Sequence, residues 1–327
     1  MATLNVLVYN GPRAGPNAHV FLLRTLRQFL GHRYEVMPVG PEALGGEPWE
    51  PKTAVLVMPG GRDTPYAEAM NGRINARIRA WVFNGGRYLG FCAGGYYGSA
   101  RCEFEPGTPM EVVGSRELGL FPGTCVGGAY PGYSYRSMDG ARAVEAIVER
   151  AAFSVPDTLW KSDPARVCVY YNGGGYFLTD DLVGCEHADD TVSVLVRYPS
   201  GVTDPHDRAT RVTGAPAVIS CKVGAGMAIL SGLHPEYAWD DLAPSDYTQP
   251  HNETLVVQLR SHDAYRRRLL GAMLGHMGLD IDPEALVDSP GKLVLILLEV
   301  PTQRHPSSAH FSDIFHSIRG QWPTPCR

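Results

Sequence analysis

The chain has no C-x-x-C pair, no apolar run approaching 18 residues, no excess of basic charge and no internal repeat. Each absence closes a class of function. Its seven cysteines (Cys92, Cys102, Cys125, Cys168, Cys185, Cys221 and Cys326) are irregularly spaced, which argues against a disulfide framework and against zinc held by cysteine pairs. Without a run long enough to cross a hydrocarbon core, no membrane span is predicted. A formal charge of -5 gives no field that would gather nucleic acid or an anionic lipid surface. The chain opens directly into Leu4-Asn5-Val6-Leu7-Val8-Tyr9, with no basic stretch or cleavage site before it; the expected compartment is the reducing cytoplasm.

What is present is enough to fold. With 327 residues, 44% of them apolar, the chain can bury a sizeable core as one large domain or two ordinary ones. Glycine (37) and proline (26) are plentiful beside aromatic and β-branched residues, so they mark tight turns rather than disorder. Strands are predicted at 4–9, 34–39, 54–58 and 88–91, with amphipathic helices over 17–30 and 71–83 between them. Near-continuous apolar strands alternating with helices predict a doubly wound, mostly parallel sheet covered on both faces, with its site at the strands' carboxyl ends.

From about residue 101 to 215 the texture changes to short strands and turns. These include Leu118 to Phe121 and Ala143 to Val148, and they read as a β-rich insertion that later rejoins the main sheet. Helix signals return over 254–277. The main domain is placed at 1–290; 291–327 holds a last apolar segment and a Pro-, Ser- and His-rich tail.

Chemistry concentrates in two phrases. Gly90-Phe91-Cys92-Ala93-Gly94 follows a strand signal, and its small residues give room for a nucleophile on a sharp strand-to-helix turn. His234-Pro235-Glu236 follows another. The residue before proline is pushed into extended backbone, and a carboxylate two positions on can grip the imidazole nitrogen facing away from the thiol. Cys92, His234 and Glu236 thus read as nucleophile, base and orienter. Gly60 and Gly61 after the third strand, with Ala93, are the candidate oxyanion donors. Gly94, Tyr96, Asn172, Gly173 and Gly174 are candidate pocket residues. The Gly173-Gly174-Gly175 run is either a backbone nest against the Cys92 pocket or a plain tight hairpin.

These pieces resemble the class I glutamine amidotransferase fold, which is flavodoxin-like. Within it, Met58-Pro59-Gly60-Gly61-Arg62-Asp63, Gly90 to Tyr97, Leu118 to Tyr135, Tyr171 to Phe177 and Gly232 to Glu236 are similar to the N-terminal domain of eukaryotic, especially fungal, biotin-protein ligases, over roughly residues 4 to 290. The resemblance implies an amidotransferase-like module with a regulatory or interaction role in protein biotinylation. A biotin ligase catalytic domain or biotin carrier proteins would be its partners. The alternative is an active cysteine hydrolase or amidotransferase on a small amide or ester; a stress-type or peptidase-like relative on the same sheet is a third reading. Where glutaminases of this fold usually carry glutamine, this chain has Tyr96, which counts against glutamine as substrate. The Gly-Arg-Gly-Arg adenylate loop of the ligases is absent, so biotin ligation is not expected from this chain alone.

No cofactor or metal is expected. The acidic pairs Asp180-Asp181, Asp189-Asp190 and Asp240-Asp241 read as turn formers, and His305, His310 and His316, in the Pro- and Ser-rich tail, are not read as metal ligands. Arg266-Arg267-Arg268 reads as a solvated helix face.

Overall fold

Along the first strand, Val6 and Val8 pack into one apolar cluster while Leu7 and Tyr9 pack into another. That two-residue alternation, apolar on both faces, is what a buried parallel strand requires. The structure, a computed structural model, describes residues 3–15, 17–135, 137–160, 163–179, 192–204, 206–207, 209–242 and 251–287.

The first half of the chain runs β1 (Asn5–Tyr9), α1 (Ala18–Leu30), β2 (Glu35–Val39), α2 (Pro41–Gly46), β3 (Thr53–Met58), α3 (Asp63–Met70), α4 (Arg73–Phe83), β4 (Arg87–Phe91) and α5 (Ala93–Gly98). Next come β5 (Ser99–Phe104), β6 (Val112–Ser115), β7 (Phe121–Gly127), β8 (Arg142–Val148), β9 (Arg166–Tyr171), β10 (Tyr176–Phe177), β11 (Val192–Arg197), β12 (Val202–Thr203) and β13 (Arg211–Val212). The described part closes with β14 (Pro216–Val223), β15 (Gly226–Ser231), α6 (His251–Ser261) and α7 (Asp263–His276).

Among the described residues the main sheet has nine strands in the order β2-β1-β3-β4-β15-β14-β11-β8-β9. From β2 to β15 the pairings are parallel; from β15 to β9 they are antiparallel. Helices α1 and α7 cover one face through Leu22, Leu26, Leu269 and Met273; α3, α4 and α5 cover the other through Tyr66, Ile78, Val82 and Tyr97. The doubly wound parallel half is as the sequence predicts.

The insertion divides. Its strands β8, β9 and β11 extend the main sheet, while β10-β7-β5-β6 form a separate four-stranded sheet beside the thiol turn. Two local expectations change. The strand expected at Leu118 to Phe121 lies further on, at Phe121–Gly127, and Leu118 is buried in the irregular segment before it. Ser99–Phe104, which polar Arg101 and Glu103 disguise, is a strand.

The arginine run is not a solvated face. Arg266 is 2% exposed and Arg268 is buried. Arg266 pairs with Asp263 at 2.6 Å and Arg268 grips Asp163, so each buried cation has its counter-charge. The last apolar run, the tail and the pairs Asp180-Asp181 and Asp189-Asp190 lie outside the described residues. Asp241 does build a turn, accepting from the Ala238 N–H at 2.8 Å.

Candidate active site

Strand β4 lies between β3 and β15, so Cys92 leaves the sheet at the carboxyl ends of parallel strands. Its backbone takes φ 47° and ψ -103°, a conformation that side-chain-bearing residues rarely adopt. The flanking glycines are steric necessities. A Cβ on Gly90 would stand 2.3 Å from the Gly94 carbonyl oxygen, and one on Gly94 would stand 2.4 Å from that of Met58. The turn is pinned to β15, because the Cys92 N–H donates to the Ser231 carbonyl at 2.7 Å.

That same strand delivers the histidine. Past Ser231 the chain turns, and the His234 N–H donates to the Tyr170 carbonyl at 3.0 Å. The His234 Nδ1 and Glu236 Oε1 are 2.7 Å apart, and both residues are buried, at 4% and 1% exposed. Two distant elements hold the turn: Thr25 Oγ1 of α1 donates to the Glu236 carbonyl at 2.8 Å, and Arg266 Nη1 of α7 donates to that of Pro235 at 2.6 Å.

With Nδ1 on the carboxylate, the other ring nitrogen faces the thiol. A Cβ built on Gly60 would touch His234 Cε1 at 2.8 Å, Nε2 at 3.7 Å and Cys92 Cβ at 3.8 Å, so the imidazole and the thiol meet over this glycine. Burial alone would lower the His234 pKa. The Glu236 carboxylate, together with hydrogen bonds to Cys92 and Glu236, outweighs it and pushes the pKa up to about 10. An imidazolium at neutral pH is the counter-ion that a thiolate needs.

In front of Cys92 is an open cleft lined by Gly61, Arg62, Asp63, Ala93, Tyr96, Phe104, Tyr133, Tyr135 and Gly173. Gly61 and Ala93 therefore share the cleft with the thiol. The Ala14–Gly61 bridge engages the Gly60 carbonyl and the Arg62 N–H, leaving the Gly61 N–H outside it.

The other expected pocket residues separate. Tyr96 and Gly173 line the cleft, joined by a hydrogen bond from the Tyr96 hydroxyl to the Gly173 carbonyl at 3.2 Å. Asn172 reaches the thiol through its carbonyl, 3.7 Å from Sγ. Gly60 supports the imidazole. Gly94 packs behind the turn on Met58, and Gly174 packs on Gly232; neither lines the cleft. The carbonyl that meets Cys92 is that of Asn172, just before the triple-glycine run, while the carbonyls of Gly173, Gly174 and Gly175 accept from Tyr96, Tyr171 and Tyr198.

Sequence reasoning gave no role to Arg62, Asp63, Phe104, Tyr133 or Tyr135. The clustered tyrosines in a Gly- and Pro-rich stretch were the available signal. Tyr96, Phe104, Tyr133 and Tyr135 form a chain of ring contacts, with centroids 5.7, 5.5 and 5.0 Å apart in turn. The Arg62 guanidinium sits 4.0 Å from the Tyr135 centroid, and Arg116 engages the Asp63 carboxylate at 2.6 Å. Among the described residues no group of three His, Cys, Asp or Glu side chains could hold a metal, and no helix is long and apolar enough to cross a membrane.

A family model described as "Biotin-protein ligase, N terminal" matches residues 4–299. The chain is 39% identical over 236 residues to a biotin–protein ligase of Schizosaccharomyces pombe, covering 72% of this chain and 34% of that protein. It thus spans about a third of that relative's length. An uncharacterised protein of Chlamydia muridarum is 31% identical over 277 residues, covering 83% of this chain and 96% of that one. Among solved structures, PurLQS from Thermotoga maritima is similar over 79% of this chain and 97% of that one (TM-score 0.45, 16% identity). A structure titled as a glutamine amidotransferase is similar over 71% and 91% (TM-score 0.43, 17% identity).

Proposed function

This chain belongs to the biotin-protein ligase N-terminal family, and from that premise we propose that its Cys92 site carries out thiol-dependent acyl transfer or hydrolysis on a small amide or ester. The supporting observation is the buried 2.7 Å contact between His234 and Glu236, on an imidazole that meets Cys92 over Gly60. The Cys92 thiolate attacks the acyl carbon, and the oxyanion that develops is received by the Gly61 and Ala93 N–H groups. His234 gives its proton to the departing amine or alcohol as the bond to it breaks, leaving a thioester. The now neutral imidazole takes a proton from water, which attacks the thioester. The acid leaves, and the proton returns to the Cys92–His234 pair. Glu236 holds the ring in place throughout.

The experiment is labelling with a chloroacetyl probe followed by peptide mapping. Selective modification of Cys92 that falls steeply in His234→Ala is expected. Labelling spread evenly over the cysteines, or unchanged by that substitution, contradicts the proposal.

A second reading has its own observation. Tyr96 fills space beside the thiol, and the matching part of the S. pombe ligase is about a third of that protein. In this reading the domain regulates or docks a biotin ligase catalytic domain or its carrier-protein substrates. It predicts that Cys92→Ser leaves biotin transfer by a supplied ligase domain unchanged while omission of the whole module does not.

A further inference from the structure

We propose that Arg62 makes the Cys92 cleft selective for acyl substrates that carry an anionic group, a carboxylate or a phosphate, close to the reacting carbon. This rests on the thiol chemistry proposed above and adds what the site would accept.

Four observations carry it. Arg62 lines the same cleft as Cys92 and Ala93. It is exposed at the cleft, and no described carboxylate pairs with it. The obvious internal partner is already taken, because Arg116 holds Asp63 through Nε at 2.8 Å and through a second nitrogen at 2.6 Å. Finally, the guanidinium is stacked 4.0 Å from the Tyr135 ring centroid. Stacking, with a hydrogen bond from the guanidinium to the Tyr135 hydroxyl, restricts a long side chain in advance, and the remaining N–H donors of the exposed fork are left for a planar anion.

The remaining lining favours the same class. Tyr96, Phe104 and Tyr133 supply aromatic surface, which accepts an apolar body but offers no counter-charge. The cleft thus has one cation available at its rim, an apolar wall and a nucleophile at its floor. A substrate with a small acyl group and an anionic arm meets all three. A zwitterionic or cationic substrate would place an ammonium near Arg62 with Asp63 already engaged.

A matched set of alkylating agents tests this: N-iodoacetylglycine, its neutral amide N-iodoacetylglycinamide, and N-iodoacetyl-aminomethylphosphonate. The readout is the ratio of anionic to neutral alkylation rates at Cys92, normalised to a free thiol, in wild type, Arg62→Gln and Arg62→Lys. The ratio should exceed unity in wild type and fall about fivefold to tenfold in Arg62→Gln, the size of one charge-assisted contact at a partly exposed site. Arg62→Lys should retain part of it, and added salt should erode it. Whichever of the two anionic reagents gains more identifies the preferred group. A ratio equal in wild type and Arg62→Gln overturns the selectivity proposal while leaving the thiol chemistry standing. Failure of all three reagents to select Cys92 over the other cysteines overturns the underlying reading instead.

Discussion

At the scale of single residues, the site is maintained against local preference. Cys92 holds φ 47°, and such a conformation costs a side-chain-bearing residue about 1–3 kcal/mol. Glycine tolerates it, so Cys92→Gly should be more stable than Cys92→Ala by roughly 1 kcal/mol in urea unfolding, while both lose the selective labelling mapped to position 92. His234 gives a pH signature. Its pKa of about 10 in the folded protein exceeds the ordinary 6.5, so its stabilising contribution is fully present below about pH 6.5 and is lost as pH rises through about 10. Removing the carboxylate in Glu236→Gln should lower that pKa and slow Cys92 alkylation at pH 7 at least about tenfold. A rate unaffected by Glu236→Gln would deny the carboxylate its orienting role. The meeting of Cys92, His234 and Glu236, the proposed triad, was legible because each sits in a short phrase whose local backbone demands are visible in the sequence. Arg62 and the tyrosine rings were not, because their meeting depends on how a separate sheet folds over the thiol turn.

At the scale of elements, α7 does more than cover the sheet. Its first turn carries Asp263, which pairs with Arg266 and Arg267 at 2.6 and 2.8 Å, and Arg266 then reaches Pro235. Burial works to raise the Asp263 pKa, but the two arginines hold it below the usual carboxylate range. The stability it contributes is present above that ordinary value and is lost as pH falls through the lowered one. Arg266→Ala leaves a buried carboxylate with one partner fewer and should cost about 3 kcal/mol by chemical denaturation. It should also slow Cys92 alkylation under native conditions, since the His-Pro-Glu turn loses a tether. Here the sequence misled in an instructive way. Three consecutive arginines on an amphipathic helix look solvated; Asp263 on the same helix supplies one counter-charge, and the approach of the turn after β15 and of Asp163 supplies the rest of what makes burial tolerable. The strands β1, β3 and β4 were legible because apolar residues fill both faces; β5 was not, because its alternate residues are charged.

At the scale of the whole molecule, β15 joins the two halves of the sheet and also leads into the histidine turn. Ile229 lies between Leu89 of β4 and Ser220 of β14 and is fully buried. Ile229→Ala should cost about 2–5 kcal/mol, and loss of secondary structure and exposure of the buried thiols should shift together; two separate transitions would contradict a sheet that unfolds as one. No sequence pattern announces that β15 docks beside β4, since the two are separated by the entire insertion and meet only through tertiary packing. The claim on which the rest depends is that Cys92, His234 and Glu236 act as one electrostatic unit at that junction. An NMR titration of the His234 imidazole, in wild type and in Glu236→Gln, measures it directly. The account predicts a ring that stays protonated through neutral pH, titrates near 10, and titrates lower in the variant. A ring that titrates at or below 6.5 in both proteins would contradict it.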